Sequence, residues 1–425
     1  MMNLGTILRP VEGLGLLSVS DQLVHGTTVH EAVLLDQAIA DALGSEGWAV
    51  RRQAAFESSH ALIGAIATRL NIEGPREIID LATELYATLG LGQLRFELVA
   101  TGGEVTGTDL LFGAGARERV GTGFRCRHSA DAFAAGFSAA AASIAYPSDW
   151  GSFEADEVEC VAKGDAICRF TLTRRPLATQ VGAGLGRTDA EQLLGPDVPP
   201  EADPAAMEIT TRDAIAACVA NERGVIRIAD CRFAFLPAAY RAQIIYDTLH
   251  LLEKRGTTSH RGAGVRLAPV FLELVREATR SGAFQLVGSL ADSPSLRDVY
   301  GPPPGEPIEI LSRLVAVANA MGWGVFTVLD HQPLKKLAVC TPMTPDAVFY
   351  AARHGGTPQP RLPTLQGLCE ALSLLLLGVD WKGSGFSKDL YADLAKSGPV
   401  LHVEEVRSVL SGDRECEVVV TQSSS

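Results

Sequence analysis

Phe133-Ala134-Ala135-Gly136-Phe137 and, farther on, Glu159-Cys160-Val161-Ala162-Lys163-Gly164-Asp165-Ala166-Ile167-Cys168-Arg169-Phe170 are the two stretches whose reading decides the fold. The first lies in a run of small residues, Ser129 to Ala145. It reads as a helix with Ser129 as N-cap, Asp131 in the first turn and Pro147 beyond the far end. A mid-helix glycine costs about 1 kcal/mol relative to alanine, so Gly136 implies close packing against a sheet or a ligand. The second stretch reads as two strands joined by Lys163-Gly164-Asp165, with glycine supplying a positive φ and aspartate bonding turn amides. A three-residue loop there sets Cys160 opposite Cys168 on one face, with Cβ atoms about 4.5 to 5.5 Å apart. Two such thiols can share a Zn²⁺ ion, form a cross-strand disulfide, or simply pack in the core.

Working outward, both stretches have counterparts. The helix matches Pro363 to Leu377, with Gly367 at the place of Gly136. Asp149-Trp150 and Asp380-Trp381 follow at the same separation as the two glycines. The hairpin matches Arg407 to Val418, where Ser408 replaces Cys160 and Cys416 matches Cys168. Upstream, Gly90-Leu91-Gly92 parallels Gly322-Trp323-Gly324, each following an amphipathic helix (77–89 and 307–321) and preceding a strand. At the start of each half, Gly15 to Asp21 parallels Gly224 to Asp230, alternating apolar runs closed by an aspartate. Five anchors in one order imply a tandem duplication. The second copy carries added residues around 256–269 and 387–402, expected in loops or extra helical turns.

The chain has 425 residues, 47% of them hydrophobic, which suits two or three domains. The expected division is a first module over residues 1–175, a Gly- and Pro-rich linker over 176–207 with one short helix, and a second, divergent module over 208–425. The formal charge of −13 argues against a nucleic-acid partner, which needs a basic surface. The longest small or apolar runs, 132–146 and 372–379, fall short of the roughly 18 to 20 residues that span a bilayer. The first residues lack the pattern of a secretory signal, so a cytoplasmic location is expected. Eight cysteines are sparse for this length and read mostly as buried, reduced thiols.

The Phe133–Phe137 core followed by ECVAKGDAICRF resembles the end of a 4-vinyl-reductase domain, a family that includes the sensor domains of aromatic-responsive bacterial regulators. The resemblance covers roughly residues 90–175 and reaches the second copy through the repeat. It implies an α/β (α+β) chain of two tandem modules, each an antiparallel sheet packed with helices, similar to TRAPP-complex subunits. It also implies an apolar pocket between the small-residue helices and the sheet. Phe133, Phe137, Trp150, Leu368 and Trp381 are the candidate lining residues, with core packing as the other reading of each. In metal-binding members, zinc is held by the two hairpin cysteines, a third cysteine on the small-residue helix and an earlier acidic residue. Cys160 and Cys168 match the pair, whereas the helix position falls at Ala135 and no acidic match lies near Phe112. Cys126 and His128 are the nearest substitutes, although their spacing differs from the family pattern, so the set is incomplete; a hairpin packed in the core without metal is the first reading, and zinc in the first module is the alternative.

Other chemistry is thin. His25 and His30, five apart, suit neither a helix nor a strand face; His60 follows Glu57 without a third partner. Gly182 to Gly186 and the loop Gly113-Ala114-Gly115 match no phosphate-binding motif. The expected function is a non-catalytic protein that binds a small hydrophobic ligand or serves as an accessory scaffold for a protein partner. The duplication would make one chain a pseudo-dimer, open to further oligomerisation. The alternative is a subunit of an oxidoreductase complex or a tetrapyrrole vinyl reductase, for which no flavin, nicotinamide or iron–sulfur motif is visible.

Overall fold

The computed structural model describes residues 3–422 apart from 12, 122–124, 150, 177–183, 195–210, 229–230, 259–266, 302–305, 333–334, 358–360, 378, 380, 382–385 and 399. The first half opens with α1 (Leu4–Ile7), β1 (Leu8–Val11), β2 (Leu16–Val19) and β3 (Gln22–Thr28). Next come α2 (Val29–Leu43), α3 (Ser45–Leu70), α4 (Pro75–Thr88), β4 (Gln93–Val99) and β5 (Gly102–Thr108). It closes with α5 (Gly113–Val120), α6 (Ala132–Ala145), β6 (Gly151–Glu159) and β7 (Cys168–Pro176). After α7 (Arg187–Leu194), the second half repeats the order as β8 (Ile226–Ile228), β9 (Cys231–Pro237), α8 (Ala238–Thr258), α9 (Leu267–Ala291) and a short α10 (Pro294–Tyr300). It continues with α11 (Pro307–Ala320), β10 (Thr327–Gln332), β11 (Lys336–Thr341), α12 (Pro345–His354), α13 (Pro363–Leu377), α14 (Lys388–Ser397), β12 (Leu401–Arg407) and β13 (Cys416–Gln422).

Each half builds its own antiparallel four-stranded sheet, ordered β4-β5-β7-β6 in the first and β10-β11-β13-β12 in the second. This is the α+β arrangement of tandem modules expected from the sequence. A third sheet, β1-β2-β3-β9-β8, draws strands from both halves. Its central pair is antiparallel, with Val24 opposite Pro237, Gly26 opposite Phe235 and Thr28 opposite Phe233. The spacing that carries Gly15 onto Gly224 carries Gly26 onto Phe235, so these two counterparts face each other.

The repeated glycines lie where the halves cross. Gly92 donates its N–H to Gly224 at 2.9 Å and Gly324 donates to Gly15 at 3.1 Å. Just beside them, Phe235 N–H reaches Leu89 O and Gly26 N–H reaches Met321 O, both at 2.9 Å. Each half's Gly-x-Gly turn therefore holds the opening strands of the other half. Gly15 and Gly224 have φ of +57° and +68°, and a Cβ on either would stand 2.3 Å from the opposing glycine carbonyl. Side chain and backbone geometry both demand glycine.

Gly136 and Gly367 are explained by helices rather than by a sheet. A Cβ on Gly136 would lie 2.4 Å from Arg52 O on α3, and one on Gly367 would lie 2.4 Å from Arg276 O on α9. The small residues of α6 and the apolar face of α13 thus seat these helices directly on the longest helix of each half.

Some local expectations need correction. Helix α6 begins at Ala132 with Asp131 as N-cap, and the Asp131 side chain makes no capping bond. Gly113–Val120 is a helix, not a loop between strands. The 160–168 connection is longer than a three-residue loop: strand pairing ends at Glu159 opposite Arg169, and a 3₁₀ turn over Val161–Lys163 follows. Of the added residues in the second half, Lys388–Ser397 form a helix capped by Ser387. All eight cysteines are free, and only Cys126 is not buried. Among the described residues, no helix is long and apolar enough to cross a membrane.

Candidate metal centre

The hairpin tip keeps the chemistry expected of its sequence. Gly164 adopts φ +109°, and Asp165 Oδ2 accepts the Cys160 N–H at 2.8 Å. The second copy repeats this with Gly412 at φ +94° and Asp413 accepting from Ser408 at 2.9 Å. This turn directs Cys160 and Cys168 inward, both 1% exposed.

Two carboxylates join them. Donor atoms of Asp131, Glu157, Cys160 and Cys168 all lie within 4.8 Å of one another. Asp131 arrives from the start of α6. Its Oδ1 accepts the Gly113 N–H at 2.9 Å, and its Oδ2 accepts from the Cys168 thiol at 3.0 Å. Glu157 arrives through a bulge in β6 between Glu157 and Glu159. On a regular strand, residues three apart point to opposite faces; the bulge turns Glu157 to the side of Cys160 and leaves Val158 exposed. Oε1 of Glu157 is buried and has no hydrogen-bond partner.

The four groups cannot all ionise together without a cation. Burial pushes Asp131 up to about 7 and Glu157 up to about 11, in each case reinforced by the neighbouring acidic groups. Hydrogen bonding from Cys168 holds Cys160 down to about 6, and the same bond drives Cys168 strongly upward. A divalent cation would replace the shared protons. A tetrahedral ion with Zn–S bonds of about 2.3 Å and Zn–O bonds of about 2.0 Å spaces its donors by about 3.3 to 3.8 Å, so the wider pairs of this cluster would draw in and the Asp131–Cys168 pair, 3.0 Å apart, would open slightly. The unpartnered Glu157 oxygen and the two-thiol, two-carboxylate donor set fit a metal ion. Four protein ligands fill a tetrahedral site, the arrangement of a structural centre rather than one with an open position.

Sequence reasoning identified the two cysteines and missed both carboxylates. It looked for a helix ligand at Ala135, whereas the carboxylate that joins the cluster is Asp131, one turn earlier on the same face. The Glu157-x-x-Cys160 spacing was visible, but only the bulge brings the two side chains to one side. Cys126 and His128 stand outside the cluster. They line an adjoining cleft of about 240 Å³ with Asp36, Phe112 and Ala130. Asp36 is ion-paired with the fully buried Arg51, which holds the α2 wall of that cleft against α3.

In the second half the equivalents of Asp131, Glu157, Cys160 and Cys168 are Leu362, Glu405, Ser408 and Cys416. The bulge recurs between Glu405 and Arg407. Glu405 Oε1 and Ser408 Oγ are buried without hydrogen-bond partners, and burial pushes the Glu405 carboxyl up. The scaffold is retained and two donors are lost.

Of the candidate pocket residues, Phe133 and Phe137 sit in an aromatic cluster with Tyr86 and with Tyr240 of the second half. Phe133 and Tyr240 ring centroids are 4.7 Å apart. The repeat's counterparts of this pair are Thr364 of the second half and Glu31 of the first, joined through Asp346 and Arg241. Leu368 is buried in the core. Trp381 packs against Phe386 in a tilted arrangement with ring centroids 4.8 Å apart and donates to Leu375 O at 3.1 Å, closing the end of α13. Trp150 lies outside the described residues. A cleft of about 340 Å³ does open between α3, the small-residue α6 and β6, but it is lined by Phe56, Gly136, Ala139 and Phe153, with Arg52 and Arg175 beside them.

No family model matches the chain, and no curated protein matches it. Among solved structures the chain is similar to the phenol-responsive sensory domain of the transcription activator PoxR, determined with phenol. The identity is 18%, over 40% of this chain and 86% of that domain, with a TM-score of 0.33.

Proposed function

We propose that this chain is a non-catalytic small-ligand-binding or accessory protein, a tandem member of the 4-vinyl-reductase type that acts as a pseudo-dimer within one chain. In this reading the first module carries a structural zinc ion on Asp131, Glu157, Cys160 and Cys168. The second module supplies a surface for a protein partner. The observation that carries the ligand reading is the cleft between α3, α6 and β6, about 340 Å³ and walled by Phe56, Ala139 and Phe153. That volume suits a small organic molecule. The zinc would act by tying the β6–β7 hairpin, one wall of this cleft, to the start of α6. Two thiolates favour zinc over magnesium or calcium, which prefer all-oxygen sets.

Native mass spectrometry and elemental analysis of the full chain, purified without chelator, test both parts. The expected result is one zinc per chain and a retained organic mass that is lost in Ala139→Trp, which fills the cleft. A protein with neither metal nor ligand overturns the proposal.

A further inference from the structure

We infer that Cys126 and His128 form a relay through which a metal ion reaches the buried centre, taking no part in holding it at equilibrium. The inference rests on the metal reading of the Asp131, Glu157, Cys160 and Cys168 cluster.

Three of the four donor residues are enclosed, and Glu157 is half-buried with its Oε1 inward. Asp131 is fully buried, the cysteines are 1% exposed, and a hydrated divalent ion must shed its waters before it can enter. The cleft of about 240 Å³ that adjoins the cluster is lined by two side chains suited to replace those waters, the Cys126 thiol and the His128 imidazole. Both residues are partly exposed. They lie two apart in an irregular segment that bends at Arg127 and His128, and both line the same cleft.

Three links join this cleft to the centre. The Cys126 N–H donates to Ala162 O at 2.8 Å, fastening the thiol-bearing segment to the turn between Cys160 and Cys168. Ala130, on the cleft wall, immediately precedes Asp131, whose carboxylate belongs to the cluster. Phe112, also on the wall, precedes Gly113, whose N–H is held by Asp131. An ion taken up by Cys126 and His128 would therefore lie beside the segments that carry Asp131 and the Cys160–Cys168 turn. Stepwise exchange completes the transfer: each incoming donor forms a bond to the ion as one water or relay ligand leaves, with the displaced thiol and carboxyl protons passing to solvent through the cleft. No electron moves.

The test compares the metal-free full chain with its Cys126→Ser/His128→Ala variant, using Zn²⁺ presented by a chromophoric chelator and followed by stopped flow. The expected result is zinc uptake and release both slowed by about ten-fold or more, with one zinc per chain and equilibrium affinity unchanged within about two-fold. Equal rates overturn the relay. A lost zinc, or affinity weakened as much as the 10- to 100-fold typical of disturbed metal sites, overturns it as well, by making Cys126 or His128 a holder of the ion. Failure of the unsubstituted chain to bind zinc at all instead overturns the metal reading on which the relay stands.

Discussion

Gly26 in β3 lies directly opposite Phe235 in β9, its own counterpart in the repeat. The residues at the crossing of the two halves are thus equivalent in sequence and unlike in size, one with no side chain and the other fully buried. The room over Gly26 is taken by Met321 from the second half, whose sulfur would stand 3.3 Å from an added Cβ. The crossing is built for one half of each kind.

Because the Gly-x-Gly turn of each half is hydrogen-bonded to the opening strands of the other, the halves should unfold together. Urea denaturation followed by far-UV and near-UV circular dichroism should give one coincident transition. Gly15→Ala and Gly224→Ala should each lower stability by about 2 kcal/mol or more, since a positive φ costs roughly 1 to 2 kcal/mol for an L-residue and the new methyl meets a backbone carbonyl. Two separated transitions, or a loss confined to one half, would contradict the crossed arrangement.

The repeat, the helix–hairpin order and the inward cysteines were legible in the sequence because each has a local signature: turn glycines, alternating apolar residues and a helix of small residues. The shared sheet was not. Leu16–Val19 and Gln22–Thr28 read as ordinary strands, and nothing local distinguishes a strand that pairs within its own half from one that crosses. Glu157 was illegible for a related reason, since its position depends on a bulge that periodicity cannot show. Asp131 was read only as a helix-start residue, yet its side chain leaves the helix N-terminus to meet Gly113 and Cys168.

Gly136→Ala and Gly367→Ala test the helix packing that the mid-helix glycines report. Alanine favours an isolated helix by about 1 kcal/mol. Here the methyl would meet the carbonyl of Arg52 or Arg276 at 2.4 Å, and a backbone atom cannot rotate away. Overpacking costs about 1 to 3 kcal/mol, so each variant should be less stable despite the better propensity. A gain in melting temperature would show that the helices have room to separate.

His25, on the central strand β3, is fully buried and both ring nitrogens lack hydrogen-bond partners. Burial, assisted by Arg241, holds its pKa well below the ordinary value of 6.5. The unfolded chain therefore binds a proton that the folded chain refuses. Stability from this residue is full above about pH 6.5 and falls as the pH drops toward the folded pKa, by at most about 1.4 kcal/mol per pH unit. His30 and His354, each held near 4, add slopes of the same sign. His25→Leu should flatten the stability profile between pH 6.5 and pH 5 without abolishing it. An unchanged slope would mean that His25 is protonated in the folded protein or hydrated there.

The second half offers a test of the metal centre by construction. Leu362, Glu405, Ser408 and Cys416 occupy the places of Asp131, Glu157, Cys160 and Cys168, and the bulge and turn that orient them recur. Leu362→Asp together with Ser408→Cys restores the full donor set, so elemental analysis of this variant should rise from one zinc per chain to two. Leu362→Asp alone should be destabilising, because it buries a second carboxyl beside Glu405, whose Oε1 already lacks a partner. In the first half, Asp131→Leu with Cys160→Ser copies the second half's substitutions and should bring the count to zero. If the double restoration binds no second ion while the first-half variant loses its own, the hairpin and helix of the second half hold their donors too far apart for a tetrahedral site. If neither substitution changes the count, the ion resides elsewhere.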